Sequence, residues 1–217
     1  LKKDFQWLIN KDDENPKFDK FRFDKFLKNS FDKYLGWDRK RISSGFELSN
    51  RKTYFKINSF GSRGKRLYKK DRISVFGDSF AFCRYVNDNE TWQFNLSKKC
   101  KTNILNFGVG NYGLDQAFLK YLKNSKKINT SKIVFCIVPE TIARVFSYWK
   151  HFREFNNIFA IKPIINFKKK KFIKKKYSKS YYSLPDRKNY NKFLKNNGCI
   201  ISIFDLFKTS QILKYKK

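Results

Sequence analysis

At 217 residues, with 41% hydrophobic and 19% aromatic content, the chain suits one medium domain or a domain plus an extension, and a sizeable core is affordable. Fifty Lys and Arg against 18 Asp and Glu give a formal net charge of +32, which points to polyanions; however, the residues in excess are those of AT-rich codons, so coding bias explains much of the charge. No zinc-finger spacing, RNP-type aromatic motif or Gly-x-x-Gly clamp marks a nucleic-acid module, no apolar run approaches the ~18 residues of a membrane span, and the first residues carry no secretory core.

Residues 1–70 read as an N-terminal extension packed on the main unit. "FDKFRFDKFLKNSFDKYLGW" places Phe and Tyr at helical spacing, with a cap region expected around Asn15 and Pro16. "GWDRKRISSGFELSN" is turn-rich. "KTYFKINSFGSRGKR" alternates and reads as a strand closed by Gly61-Ser62-Arg63-Gly64.

From residue 71 strands alternate with helices. "RISVFG", "TNILNFG" and "SKIVFCIV" read as buried strands. "DSFAFCRYVNDNETWQFNLSKKC" reads as mostly helix with a break near Asn87-Asp88-Asn89, and "NYGLDQAFLKYLKNS" and "PETIARVFSYWKHF" as further helices, the last opened by Pro139. That rhythm predicts an α/β domain over 71–217 with a parallel sheet covered on both faces. Beyond about residue 160 lie a solvated charge run, "FKKKKFIKKKYSKS", a short helix ending at Gly198 and a fourth strand, "CIISIF". Cys83, Cys100, Cys136 and Cys199 show no Cys-x-x-Cys spacing, so neither a metal site nor a disulfide framework is expected, and no cofactor is called for. Cys136 and Cys199 read as small buried hydrophobes in strands.

The chemistry concentrates where strands give way to helices. In "SVFGDSFAFC" a strand leads through Gly77-Asp78-Ser79 into an apolar run. A serine there stands at the carboxyl edge of a parallel sheet, where such folds bind ligands, and helix-start N–H groups can hold an oxyanion. Ser79 is then a nucleophile, or only a helix cap. Asp78 is suited to fasten neighbouring loops by accepting N–H groups. The second crossover, Asn106 to Gly113, is small-residue-rich and brings its backbone to the same mouth.

"VFGDSFAFCRYVNDNETWQFNL" followed by "NILNFGVGNYGLDQ" resembles the first two blocks of the SGNH, or GDSL, hydrolase family over about residues 71–145. "GWD…INSFGSRG" resembles the lead-in of bacterial relatives, some of them associated with surface polysaccharide. The resemblance implies a three-layer α/β/α fold on a flavodoxin-like sheet, with Ser79 as nucleophile and its own N–H as an oxyanion donor. The family's second oxyanion donor, a glycine, falls at Asn111, with Gly110 as its neighbour. In the third block the family's Gly-x-Asn-Asp is replaced by Val138-Pro139-Glu140-Thr141. Glu140 then stands where an oxyanion-binding Asn side chain is expected, Thr141 could donate, and Arg144 could neutralise Glu140.

The family's closing Asp-x-x-His, source of the general base, has no counterpart. His151 is the single histidine and lies about three helical turns from the sheet mouth; Asp205-Leu206-Phe207-Lys208 has the spacing but ends in Lys. The sequence contains no Met and begins with Leu1, so it reads as a piece of a longer protein that stops before the base, rather than as a non-hydrolysing relative. The expectation is a serine hydrolase acting on a small ester or an O-acylated carbohydrate, nearly inactive in this piece. The alternatives are a catalytically silent glycan-binding or assembly module on the same fold, and a basic polyanion-binding protein. The compartment is left open, with the cytoplasm favoured; nucleic acid is not an expected partner, and no membrane span is expected.

Overall fold

The structure, a computed structural model, describes residues 19–40, 43–48, 51–139, 141, 144–145, 150, 157, 159–160, 162, 164–166 and 171–173. Contacts divide the chain into two units: one is Asp38–Ile142, the other combines Leu1–Trp37 with Ala143–Lys217. The expected cap at Asn15 and Pro16, the helix ending at Gly198, the strand "CIISIF", and Glu140, His151, Asp205 and Lys208 lie outside the described residues.

The unit containing residues 1–37 opens with helix α1 (Lys20–Asn29), which starts where Asp19 caps it: the Arg22 N–H donates to Asp19 Oδ1 at 3.1 Å. Phe23 is its buried residue and meets Phe159 edge-on at 5.1 Å. Strands β1 (Phe31–Asp32) and β2 (Gly36–Trp37) form a small hairpin, closed by Asp32 Oδ1 accepting from the N–H groups of Tyr34 and Leu35.

The Asp38–Ile142 unit begins with an antiparallel hairpin of β3 (Ser43–Leu48) and β4 (Arg51–Lys56). Sequence reading made the first half of this region turn; its polar, Gly-containing strand is ordered by six register pairs with β4. Along β4 burial alternates, with Thr53 and Phe55 inside. β5 (Asp71–Phe76), β6 (Asn103–Asn106) and β7 (Lys132–Phe135) then form a parallel sheet in the order β6-β5-β7. The unit is therefore mixed helix and strand around a three-stranded parallel sheet, as the alternating sequence rhythm predicts.

Neighbouring side chains of β5 serve opposite faces. Val75 packs with Ala81, Ile104 and Leu96, on the side of α2 (Ser79–Phe82) and α3 (Trp92–Cys100). Phe76 stacks on Phe107 at 5.0 Å and meets Tyr121 of α4 (Leu114–Asn124) at 5.7 Å. The sheet is thus covered on both sides of its central strand.

One buried cation joins the hairpin to the sheet. The backbone N–H of Arg63 donates to the Asn106 carbonyl at 2.7 Å, extending pairing to the end of β6. Its guanidinium, 1% exposed, donates from Nε to Asp88 Oδ1 at 2.7 Å, from Nη1 to the carbonyls of Phe82 and Cys83 at 2.7 and 2.8 Å, and from Nη2 to Val86. It lies 4.6 Å from the Phe82 ring centroid. Asp88 spends its other oxygen on the Lys56 N–H of β4, and Asn87 accepts from the Tyr54 N–H, so the turn after α2 covers the outward edge of the hairpin.

The segment from Asp78 to Cys100, expected as mostly helix with a break near Asn87-Asp88-Asn89, has a wider break than that: one turn of helix, α2, then a left-handed Cys83 (φ 60°) and Tyr85 (φ 70°) and a 3-10 turn at Asp88–Glu90, before α3. α2 stops because Arg63 takes the carbonyls that a longer helix would use. Glu90 accepts from the Asn87 N–H, which holds its carboxyl below the usual range, with Arg51 adding to the effect. The antiparallel pair β8 (Ile164–Asn166) and β9 (Lys171–Ile173) belongs to the other unit; β8 precedes the expected charge run and β9 lies inside it.

Replacing Arg63 with Gln should destabilise the chain by about 3 kcal/mol, because Asp88 and three carbonyls lose a buried charged donor. Urea denaturation of the two chains measures this; an unchanged midpoint would mean that water replaces the guanidinium at no cost.

Candidate functional site

β5 delivers Gly77 and Asp78 to its carboxyl edge, and Ser79 begins α2. Asp78 is buried and caps α2 by accepting from the Phe80 N–H at 2.9 Å. Capping is therefore done by Asp78, which leaves the Ser79 hydroxyl for other work. Ser79 is half-buried, and among the described residues neither its hydroxyl nor its N–H enters a hydrogen bond. A one-turn helix sums few peptide dipoles, so any anion stabilisation here comes from individual N–H groups rather than a macrodipole.

Two glycines set the distances. A Cβ on Gly77, whose φ is +159°, would meet the Ala81 Cβ and the Cys136 carbonyl at 2.8 Å. One on Gly108 would come within 2.3 Å of the Phe82 backbone nitrogen. The loop after β6 thus lies directly on the α2 backbone, an approach open only to glycine. Val109 N–H donates to the Gly77 carbonyl at 3.0 Å, joining the two crossovers. Asn106 supports the same junction: its Oδ1 accepts from the Gly108 N–H and its Nδ2 donates to the Phe82 carbonyl.

Asn111 follows in the left-handed region at φ 62°. This is a conformation natural to glycine and tolerated by asparagine. No hydrogen bond among the described residues engages the Asn111 N–H. Ser79 and the Gly110–Asn111 turn therefore belong to adjoining crossovers at one edge of the sheet.

The third block is arranged differently. Thr141 is buried, and its hydroxyl donates to the Val138 carbonyl at 2.7 Å, closing the turn after β7. Glu140 lies outside the described residues, and Arg144, a half-buried helical residue, belongs to the other unit. Among the described residues, no three His, Cys, Asp or Glu side chains form a group able to hold a metal ion.

Two thiols flank the Gly77 turn. Burial pushes the Cys136 thiol up, with the charges of Asp78 and Cys83 acting in the same direction. Burial also raises Cys83, outweighing a Trp92 N–H, the Arg63 charge and a hydrogen bond with Gln93. Cys136 is half-buried and lies just beyond β7, not buried within a strand as its sequence context suggests, because β7 ends at Phe135.

Sequence reading assigned no individual role to Arg39. Its guanidinium carbon lies 5.2 Å from the ring centroids of both Phe55 and Phe82, and one terminal nitrogen would be 3.9 Å from a Cβ on Gly110. A signal was present: Arg39 belongs to "GWDRKR", quoted in part as a lead-in, but in so basic a chain one arginine does not stand out. No protein-family model matches the chain, and no curated protein matches it in sequence. Among the described residues, no helix is long and apolar enough to cross a membrane.

Gly108→Ala should destabilise the chain by about 1–3 kcal/mol through backbone displacement, whereas Gly110→Ala, whose Cβ meets only ordinary contact, should be close to neutral. Thermal unfolding of both variants decides it; equal effects would deny the close approach at 108. The raised thiols make a second prediction. Folding favours their protonated form, so their contribution to stability is complete below the ordinary thiol pKa and is lost as pH rises through the higher folded values. At pH near 8, iodoacetamide should modify exposed Cys100 well before Cys83 and Cys136; peptide mapping showing Cys83 or Cys136 first would contradict this.

Proposed function

We propose that the chain carries the nucleophile-bearing part of an SGNH-type serine hydrolase, a three-layer α/β/α domain on a flavodoxin-like sheet, of the esterase or acyl-transfer class. One observation carries the reading. Ser79 and Asn111 come from adjoining crossovers locked together at Gly108, and the amides of both are unengaged among the described residues. An oxyanion hole needs preorganised N–H donors beside a nucleophile, and two unengaged amides on adjoining crossovers, at the sheet edge where open α/β folds bind ligands, support that reading. The order and spacing of "GDSF" and "NFGVGNYG" support the same assignment.

The mechanism follows from the groups in hand. Ser79 Oγ attacks an ester carbonyl while its proton passes to a general base. The carbonyl oxygen becomes an oxyanion, held by the N–H groups of Ser79 and Asn111. Collapse expels the alcohol and leaves an acyl-serine ester, which water or an acceptor hydroxyl then cleaves. Asp78 fixes the start of α2, and Thr141 closes the turn after β7. The base is not among these residues; the one histidine, His151, and the candidate Lys208 lie outside the described residues. An O-acylated carbohydrate is the substrate class that the family resemblance favours.

The native protein should hydrolyse p-nitrophenyl acetate, and Ser79→Ala should reduce kcat/KM by about a thousandfold or more. Equal turnover by both proteins would contradict a serine mechanism. No turnover by either, joined to saturable binding of an acylated glycan, would identify the silent binding module instead. Binding of arbitrary DNA or heparin that falls steeply with salt would identify the polyanion binder.

A further inference from the structure

We propose that Phe80 and Trp92 form an aromatic platform beside Ser79, and that a sugar ring of an uncharged carbohydrate stacks on it. The inference rests on the hydrolase reading for its link to the chemistry of Ser79, but not for carbohydrate binding itself.

Exposure is the first argument. Phe80 directly follows Ser79 on α2, yet it is 68% exposed, whereas Ala81 and Phe82 of the same turn are buried. Trp92 opens α3 and is 41% exposed. Among the described residues neither ring meets another ring or a cation, and the Trp92 indole N–H enters no hydrogen bond. Large aromatic faces left to water forgo the burial that normally stabilises them. Two of them stand here beside a serine whose hydroxyl is also unengaged.

Position is the second. The Cys83 thiol lies 3.6 Å from the Phe80 carbonyl and accepts the Trp92 N–H. Gln93, which is buried, donates from Nε2 to the Ala81 carbonyl at 2.6 Å. Thr91 caps α3 by accepting from the Phe94 N–H. The start of α3 is therefore pinned to α2, and both aromatic residues stand on fixed backbone. With only two side-chain torsions each, they lose little freedom when a ligand settles on them.

Local chemistry selects the ligand. The C–H faces of a pyranose carry slight positive charge, which suits the negative face of an aromatic ring, and its rim of hydroxyls can accept from the indole N–H. A polyphosphate needs unpaired cations beside the rings. Here Arg63 and Arg51 are taken by Asp88 and Glu90, and Arg84 lies against the Tyr85 ring. An acyl chain needs an enclosed apolar groove, whereas these residues stand open to water.

Nuclear magnetic resonance titration of the 217-residue chain, reading the tryptophan indole signals, tests this. The saccharide probes are chitotetraose, cellotetraose, mannotetraose and O-acetylated xylotetraose; oligothymidylate and hexanoate are the contrasts. At least one saccharide should bind saturably and shift the signal that Trp92→Phe removes. Phe80→Ala and Trp92→Ala should each weaken that binding about tenfold. Phe80→Leu and Trp92→Leu, which keep apolar bulk but lose the flat face, should weaken it by about threefold or more. They decide alone should an alanine variant fail to fold. Leu122→Ala, at an exposed apolar residue on the opposite side of the sheet, should leave binding intact. The inference is overturned if no saccharide binds, if a folded ring variant binds as tightly as the wild-type chain, or if Leu122→Ala weakens binding equally. Phe80-dependent binding of oligothymidylate or hexanoate in place of any saccharide would also overturn it, by assigning the rings to single-stranded nucleic acid or to an acyl chain. Ser79→Ala should bind the saccharide as the wild-type chain does. Ring-dependent saccharide binding in a protein whose ester turnover ignores Ser79 would sink the hydrolase reading and leave the platform standing. Ser79-dependent turnover without saccharide binding would do the reverse.

Discussion

The Asp38–Ile142 unit depends on a cation placed where cations are costly. Arg63 is buried, yet its guanidinium ends the first crossover helix by taking the carbonyls of Phe82, Cys83 and Val86, and its charge is met by Asp88. Such a group would be a liability without its partners, since an uncompensated interior charge costs several kcal/mol. With them it solves a hydrogen-bonding problem. A one-turn helix has four terminal carbonyls to satisfy. Here Ser79 O accepts from the Arg84 N–H, Phe80 O from Cys83, Ala81 O from Gln93, and Phe82 O from Arg63 and Asn106. Every carbonyl of α2 is answered, three of them from within the same short segment or α3.

The consequence reaches the sheet mouth. Because α2 is held at its carboxyl end, its backbone is a fixed surface against which Gly108 can lie at a separation no side chain permits. That contact, with the Val109–Gly77 hydrogen bond, sets the distance between the serine and the Gly110–Asn111 turn. The left-handed Asn111 completes the turn without needing glycine, at a modest conformational cost. The proposed chemistry would thus be positioned by a network whose most buried charge makes no contact with the reacting atoms.

Much of this framework was legible in the sequence. "RISVFG", "TNILNFG" and "SKIVFC" contain β5, β6 and β7, because short apolar runs bounded by turn residues have few other uses in an alternating chain. Ser79 at a strand end and the small-residue turn from Asn106 to Gly113 followed from local spacing, whereas Asn111 was singled out by the family resemblance. The brevity of α2 did not, since it is imposed by Arg63 from another segment and by positive φ at Cys83 and Tyr85. β3 was missed because Ser43-Ser44-Gly45 has weak strand propensity of its own and is ordered by pairing with β4. Hardest to see were the cations drawn into the fold. Arg63 and Lys120 are internal, and Arg39 is half-buried, yet in a sequence with fifty basic residues each reads as another surface charge. Part of the positive charge is therefore structural, and net charge alone is a poor guide to partners here.

The central claim is that position 79 holds an activated nucleophile served by adjoining main-chain amides. A fluorophosphonate ester tests it directly, because phosphorylation of the serine mimics the tetrahedral oxyanion and leaves a stable mass tag. Treatment of the native protein followed by peptide mass spectrometry should place a single adduct on Ser79, with none formed after unfolding. An adduct on another residue, or an untouched Ser79 peptide in a folded protein that hydrolyses esters, would contradict the account.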